Sequence, residues 1–211
     1  MTYWVKTPKW LTRFFPKELI WNMPQNGAPS VYLTFDDGPH PVITPFVLEQ
    51  LEKFNAGATF FCIGKNVQLY PDVYEKLKNK GHTPGNHTHN HINGWKAHNR
   101  NYLSNIIKAK QLIHSHSFRP PYGRIKISQA KKLLKTNPSW NIYMWDVLSG
   151  DFDVNLSPEQ CLDNVISNIV PGSIVVFHDS EKAWERMSYT LPKVLEYCRK
   201  QNWEIKSLPK Y

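Results

Sequence analysis

Val31-Tyr32-Leu33-Thr34-Phe35-Asp36-Asp37-Gly38-Pro39 runs from β-branched and aromatic residues into two adjacent carboxylates and a Gly-Pro step. Val31 to Phe35 suits a buried strand, and Gly38-Pro39 removes the freedom to continue it. Both acids therefore fall at a strand mouth. Neighbouring carboxylates repel when ionised, so a chain keeps them together where a cation, an arginine or a shared proton offsets the cost. An Asx-type turn could use the same residues, and only the remainder of the chain separates a turn from a site.

Working outward, Ile43 to Phe54 carries Val47, Leu48, Leu51 and Phe54 at helical spacing and is closed by Gly57. Ala58 to Ile63 reads as a strand, Asp72 to Lys80 as a short helix after Pro71, and the histidine-rich stretch after Gly81 to Asn86 as a loop at a strand end. Tyr102 to Ile113 is a helix followed by a loop, Phe118 to Gly123, stiffened by Pro120 and Pro121. Ile127 to Leu134 is a helix, Trp140 to Val147 a strand, Pro158 to Val170 a helix and Ser173 to Phe177 a strand. Met187, Leu191, Val194, Leu195 and Cys198 mark a last helix, with a short strand around Trp203 to Ile205. This alternation implies an α/β fold: a parallel sheet with crossover helices, whose ligands bind at the carboxyl ends of the strands.

At 211 residues the chain suits one domain with one substantial core. Residues 1–29 read as an N-terminal arm packing on a domain of residues 30–211. In the arm, Trp4, Trp10, Leu11, Phe14 and Phe15 interleave with basic residues, which suits packing on the domain more than lying on a membrane. Charged residues and prolines break up Met1 to Trp21 and leave no apolar core for a signal peptide or a membrane span. On that basis alone the location would be cytoplasmic. The formal net charge is +9, from 26 Lys and Arg against 17 Asp and Glu. Those cations look scattered, with no long basic block and no specific nucleic-acid motif. Cys62, Cys161 and Cys198 are odd in number and lack metal or redox spacing, which suits buried reduced thiols.

His87-Thr88-His89-Asn90-His91 places imidazoles four or two residues apart, and either pair could hold a metal. Joined to a strand-end carboxylate it supplies the three-ligand set with an open position that catalytic zinc uses. The metalloprotease His-Glu-x-x-His pattern does not apply, since Thr88 stands at the glutamate position. An aspartyl-nucleophile phosphatase needs two acids separated by one residue, and Asp36 and Asp37 are adjacent.

Thr34-Phe35-Asp36-Asp37-Gly38-Pro39, His87-Thr88-x-x-His91, Arg119-Pro120-Pro121-Tyr122, Asp146-x-x-Ser149-x-Asp151 and Ile174-Val175-x-x-His178 follow one another in the chain. In that order they resemble the motifs of NodB-type polysaccharide deacetylases, the fourth carbohydrate esterase family, from about Ser30 onward. The resemblance implies a distorted (β/α) barrel of seven or eight parallel strands. It makes Asp37, His87 and His91 metal ligands, Asp36 the general base, Arg119 the base's partner, His178 the general acid and Asp151 the support of His178. Sequence alone does not divide the two aspartates. The implied metal is zinc, with cobalt or nickel also allowed.

The implied reaction is metal-dependent hydrolysis of N-acetyl groups on an acetylated amino sugar or polysaccharide of chitin-oligomer or peptidoglycan type. The alternatives are an O-acetyl esterase and a non-catalytic carbohydrate-binding relative. The Tyr122 N–H is the implied oxyanion donor. Trp145, Phe152 and Val176 line the implied substrate pocket, with Trp184 bordering the groove. Phe152 and Val176 stand where relatives often carry tryptophan and leucine, which changes pocket volume. The implied partner is the acetylated carbohydrate, and the chain is expected to be a monomer. Substrates of this family often lie in the cell envelope, in tension with the missing signal peptide. His40, His82, His98, His114 and His116 read as surface or hydrogen-bonded histidines. His89, between two ligands, could instead face the substrate.

Overall fold

The computed structural model describes residues 3–25, 27–137 and 139–209. The strands are β1 Leu19–Ile20, β2 Ser30–Asp36, β3 Thr59–Cys62, β4 Thr83–Asn86, β5 Ser117–Phe118, β6 Asn141–Tyr143, β7 Val147–Leu148, β8 Ile174–His178 and β9 Glu204–Ile205. The helices are α1 Lys9–Thr12, α2 Ile43–Lys53, α3 Gly64–Leu69, α4 Pro71–Asn79, α5 Asn99–Ile113, α6 Ile127–Thr136, α7 Pro158–Ile166 and α8 Trp184–Lys200. The sheet follows the order β1-β6-β5-β4-β3-β2-β8-β7, with β9 added to β2, and its strand pairs are parallel. It curls into a half-barrel, the architecture implied by the motifs.

Register explains how β2 serves two purposes. Leu33 and Phe35 face the helices, and Phe35 stacks between Phe60 and Phe177 at 5.0 and 5.8 Å. Thr34 and Asp36 alternate to the other face. All seven residues of β2 are buried, as a strand covered on both sides requires. Helix boundaries follow local chemistry. Ser157 accepts from Gln160 N at 3.2 Å while Gln160 Oε1 accepts from Ser157 N at 2.9 Å, a reciprocal cap on α7 with Pro158 in its first turn.

Two elements depart from the sequence reading. Trp140 to Val147 splits into β6 and β7, because the Asp146 carboxylate leaves the ladder pattern to accept from Ile174 N (2.8 Å), Ser173 Oγ (3.0 Å) and Lys6 Nζ (2.8 Å). The helix from Pro158 stops at Ile166, not Val170. Strand β4 forms despite Pro84 and Gly85, and α3 follows β3 where the sequence reading assigned no element.

The arm is stitched across the gap between the sheet's two ends. Lys6 bridges Val147, Leu148 N donates to Val5 O at 2.8 Å, β1 pairs with β6, and Asn22 bridges Ser173. The three cysteines are buried and free. Among the described residues no helix is long and apolar enough to cross a membrane.

Candidate active site

Parallel pairing sets Thr34 beside Val176 and Asp36 beside both His178 and Phe61. Into this interior face runs Arg119, fully buried one residue after β5. Its Nη1 donates to Asp36 Oδ1 at 2.8 Å and to Thr34 Oγ1 at 2.6 Å, and its Nη2 donates to Met144 O at 2.9 Å. The guanidinium also lies 4.2 Å from the Phe61 ring centre. An ion pair this deep is tolerated because nearly every donor has an acceptor.

Asp37 turns the other way. Its φ of 84° throws the side chain out of the strand's alternation, and Asn66 Nδ2 donates to its carbonyl at 2.7 Å. Thr88, His91 and Tyr122 also hold left-handed backbone, at φ 63°, 52° and 60°. Such residues cost about 1–3 kcal/mol each and persist where the surroundings impose them; here they cluster at one mouth. Asp37 Oδ1 lies 3.1 Å from His91 Nε2 and 3.7 Å from His87 Nε2. The donor atoms of the three residues fall within 4.8 Å of one another.

This cluster fits a divalent metal. Asp37 Oδ1 is buried without a hydrogen-bond partner, which a buried carboxylate oxygen rarely lacks. His87 Nδ1 meets the Arg119 carbonyl at 2.8 Å; a carbonyl can only accept, so that nitrogen carries the proton and Nε2 offers its lone pair toward Asp37. Burial pushes the His87 imidazole down to about 4, although the charges of Asp36 and Asp37 oppose the shift. A neutral imidazole is the ligand form. Burial works to raise the Asp37 carboxyl, but the close approach of the His91 imidazole and the charges of His178 and His87 hold it well below the usual range.

The opposite wall carries a different histidine. Asp151 is fully buried, and its two oxygens accept from His178 Nδ1 and from His178 N, both at 2.7 Å. Arg186 Nε donates to the Asp151 carbonyl at 2.8 Å. Burial opposes charge on His178, but attraction to and bonding with Asp151 outweigh it and lift the imidazole to about 10. At neutral pH it is an imidazolium.

The structure gathers the other expected residues unevenly. Phe152 lies edge-on to His178 at 5.4 Å and Val176 is buried beside Thr34. Tyr122 is exposed, its ring 4.6 Å from that of His91. Trp145 packs against Gly123, where an added Cβ would come within 2.5 Å of the indole. Trp184 packs edge-on against Phe46 at 5.0 Å. His89 packs its Nδ1 toward Gly64 with its N–H held by Asn105, so it does not join the ligand cluster. The His82 ring is not at the surface: it is buried against Phe60 with Nδ1 unpartnered.

Sequence reasoning missed Asp179. Its carboxylate accepts from Gly38 N at 2.9 Å and from Thr44 Oγ1, fixing the turn that orients Asp37. A Cβ on Gly38 would sit 2.1 Å from Asp179 Oδ2, so room for this carboxylate is what glycine supplies there. Burial and the charge of Asp37 push the Asp179 carboxyl up to about 8, though its hydrogen bonds act against that. Its place directly after His178 was the available signal.

Comparison with known proteins identifies the family. Residues 24–137 match the polysaccharide deacetylase family model. A peptidoglycan-N-acetylglucosamine deacetylase of Bacillus cereus is 36% identical over 163 residues, covering 74% of this chain; the chain spans 58% of that relative's length. A chitooligosaccharide deacetylase of Azorhizobium caulinodans is 33% identical, with 71% of this chain and 73% of the relative covered. The crystal structure of the peptidoglycan N-acetylglucosamine deacetylase Bc1960 superposes with a TM-score of 0.86 at 30% identity, over 96% of this chain and 95% of that one.

Proposed function

We propose a function from one premise: the chain belongs to the polysaccharide deacetylase family. The protein is a hydrolase that removes N-acetyl groups from an amino-sugar polymer of peptidoglycan or chitin-oligomer type and leaves acetate and a free amine. Its relatives carry both substrate classes in their names. The observation that carries the reading is the divergence of the two adjacent carboxylates, Asp36 toward Arg119 at 2.8 Å and Asp37 toward His91 at 3.1 Å.

Asp37, His87 and His91 would hold a divalent metal, zinc by preference. When bound, such an ion polarises the acetyl carbonyl and acidifies water. Asp36, kept in place by Arg119, takes a proton from the attacking water, whose oxygen bonds to the carbonyl carbon. The N–H of Tyr122 donates to the developing oxyanion. His178 delivers its Nε2 proton to the amide nitrogen as the carbon–nitrogen bond breaks, and Asp151 makes that imidazolium available at neutral pH. Val176, Phe152 and Trp145 are the apolar residues available to receive the acetyl methyl group.

The test is acetate release from N-acetylated chitin oligomers, peptidoglycan and O-acetylated xylan. The first two should be turned over, and Asp36→Asn should reduce the rate by about 10²–10⁴. Turnover of xylan alone would make the protein an esterase, and no turnover of any of the three would leave the binding-protein reading.

A further inference from the structure

We propose that the face formed by the N-terminal arm and the α5–α6 side of the barrel docks on an anionic lipid bilayer. The charge that looks scattered along the sequence is segregated. Residues 76–145 contain 13 Lys or Arg and no Asp or Glu, and residues 1–17 contain four cations and no acid. The rest of the chain holds nine cations against all 17 acids.

The fold brings the two acid-free segments together. Strand β1 pairs with β6, and Leu19 shares a core cluster with Tyr102, Phe118 and Leu133. A shallow trough of about 480 Å³ is lined by Phe14 and Phe15 from the arm and by Trp95, Ile125 and Ile127 from the other segment. Among the described residues Lys9, Arg13 and Lys17 on the arm form no salt bridge, and neither do Lys131 and Lys132 on α6. All five are exposed.

Charge alone would fit any polyanion; the aromatics select a bilayer. Trp4, Trp10 and Phe14 are 47%, 56% and 75% exposed and touch in sequence, with ring centres 5.8 and 6.3 Å apart. Trp95, 55% exposed, continues the patch across the trough. Contiguous exposed apolar surface of this kind marks an interaction site. Tryptophan and phenylalanine ringed by cations are the composition that enters the headgroup boundary of anionic lipid. The proposed contact is peripheral in kind, since it uses exposed side chains of the arm and the trough. The face also borders the candidate site: Trp95 is four residues from His91, and Gly94 N donates at 3.1 Å to the carbonyl of Arg124, two residues from Tyr122.

The experiment is co-sedimentation of the full chain with vesicles of phosphatidylcholine alone or mixed with phosphatidylglycerol. Binding should require phosphatidylglycerol and weaken with salt. Trp10→Ser/Phe14→Ser and, separately, Lys9→Glu/Arg13→Glu should each lower the partition coefficient about tenfold or more, with unchanged circular dichroism and unchanged acetate release from soluble chitin oligomers. Absence of wild-type binding to mixed vesicles overturns the proposal. So does an aromatic variant that binds like wild type while soluble polyphosphate competes for both, since that pattern belongs to a polyelectrolyte site.

Discussion

His87 and His178 stand on opposite sides of the aspartate pair, are both almost enclosed by protein, and differ in what meets Nδ1. His87 has the carbonyl of Arg119 at 2.8 Å and falls to about 4; His178 has the Asp151 carboxylate at 2.7 Å and rises to about 10. A neutral dipole fixes the tautomer of a ring without compensating its desolvation as a cation, whereas a full negative charge overcompensates. One partner atom therefore divides the site into a wall suited to ligation and a wall suited to proton donation.

The largest expected break of this contrast is His87→Ala. It takes away a ligand, so bound metal measured by elemental analysis should fall below one per chain and acetate release should drop about 10⁴-fold or more, as it should with a chelator. Retention of both metal and rate would exclude His87 from ligation.

Next is Arg119→Met, which leaves Asp36 buried without a counter-charge. Removing one partner of a buried pair costs about 3–5 kcal/mol, read as a lowered urea midpoint at neutral pH. A loss under about 1 kcal/mol would mean that water or another donor already serves Asp36.

Asp151→Asn sharpens the comparison by giving His178 a neutral partner like that of His87. Raised from 6.5 to about 10, the wild-type imidazole stays protonated as pH climbs and discharges near 10, so activity and the stability due to this pair should fail on the alkaline side. The variant should lose about 10²-fold at neutral pH and recover part of it toward lower pH. An unmoved alkaline limb in the pH–rate profile would assign that limb to another group.

The smallest effect belongs to a third enclosed imidazole, His82, whose Nδ1 has neither kind of partner and which burial pushes down to about 4. The unfolded chain takes up a proton near 6.5 while the native state does not, so wild type should lose about 2 kcal/mol between neutral pH and pH 4.5 through this residue. His82→Gln should not lose it, and equal urea midpoint shifts for the two proteins would remove His82 from the account.

What was legible in the sequence was local. The apolar run of β2, the 3.6-residue stripes of α2 and α8, and the Ser-Pro start of α7 each announce themselves within a few residues. What was not legible depends on partners far along the chain. Asp146 breaks one expected strand into two because Lys6, Ser173 and Ile174 converge on its carboxylate. Strand β4 forms from Thr-Pro-Gly-Asn because β3 and β5 offer it a ladder on either side. The site divides in the same way. Motif order gathered Asp36, Asp37, His87 and His91, whereas Asp179 acts through Gly38 and Thr44, some 140 residues back. The segregation of charge was visible in the acid-free stretch itself, but that stretch becomes a face only when the arm folds beside it.

The arm has a practical consequence for anyone trimming or extending this protein. Residues 5–7 hydrogen-bond or bridge to residues 146–148, and Ile20 O accepts from Met144 N at 2.7 Å, so these residues seam together two staves beside the candidate site. A deletion through Met23 would not tidy away a tail. It would strip Lys6 from Asp146 and open the barrel on the side where Asp151 is anchored, so truncation belongs among the damaging edits rather than the cosmetic ones.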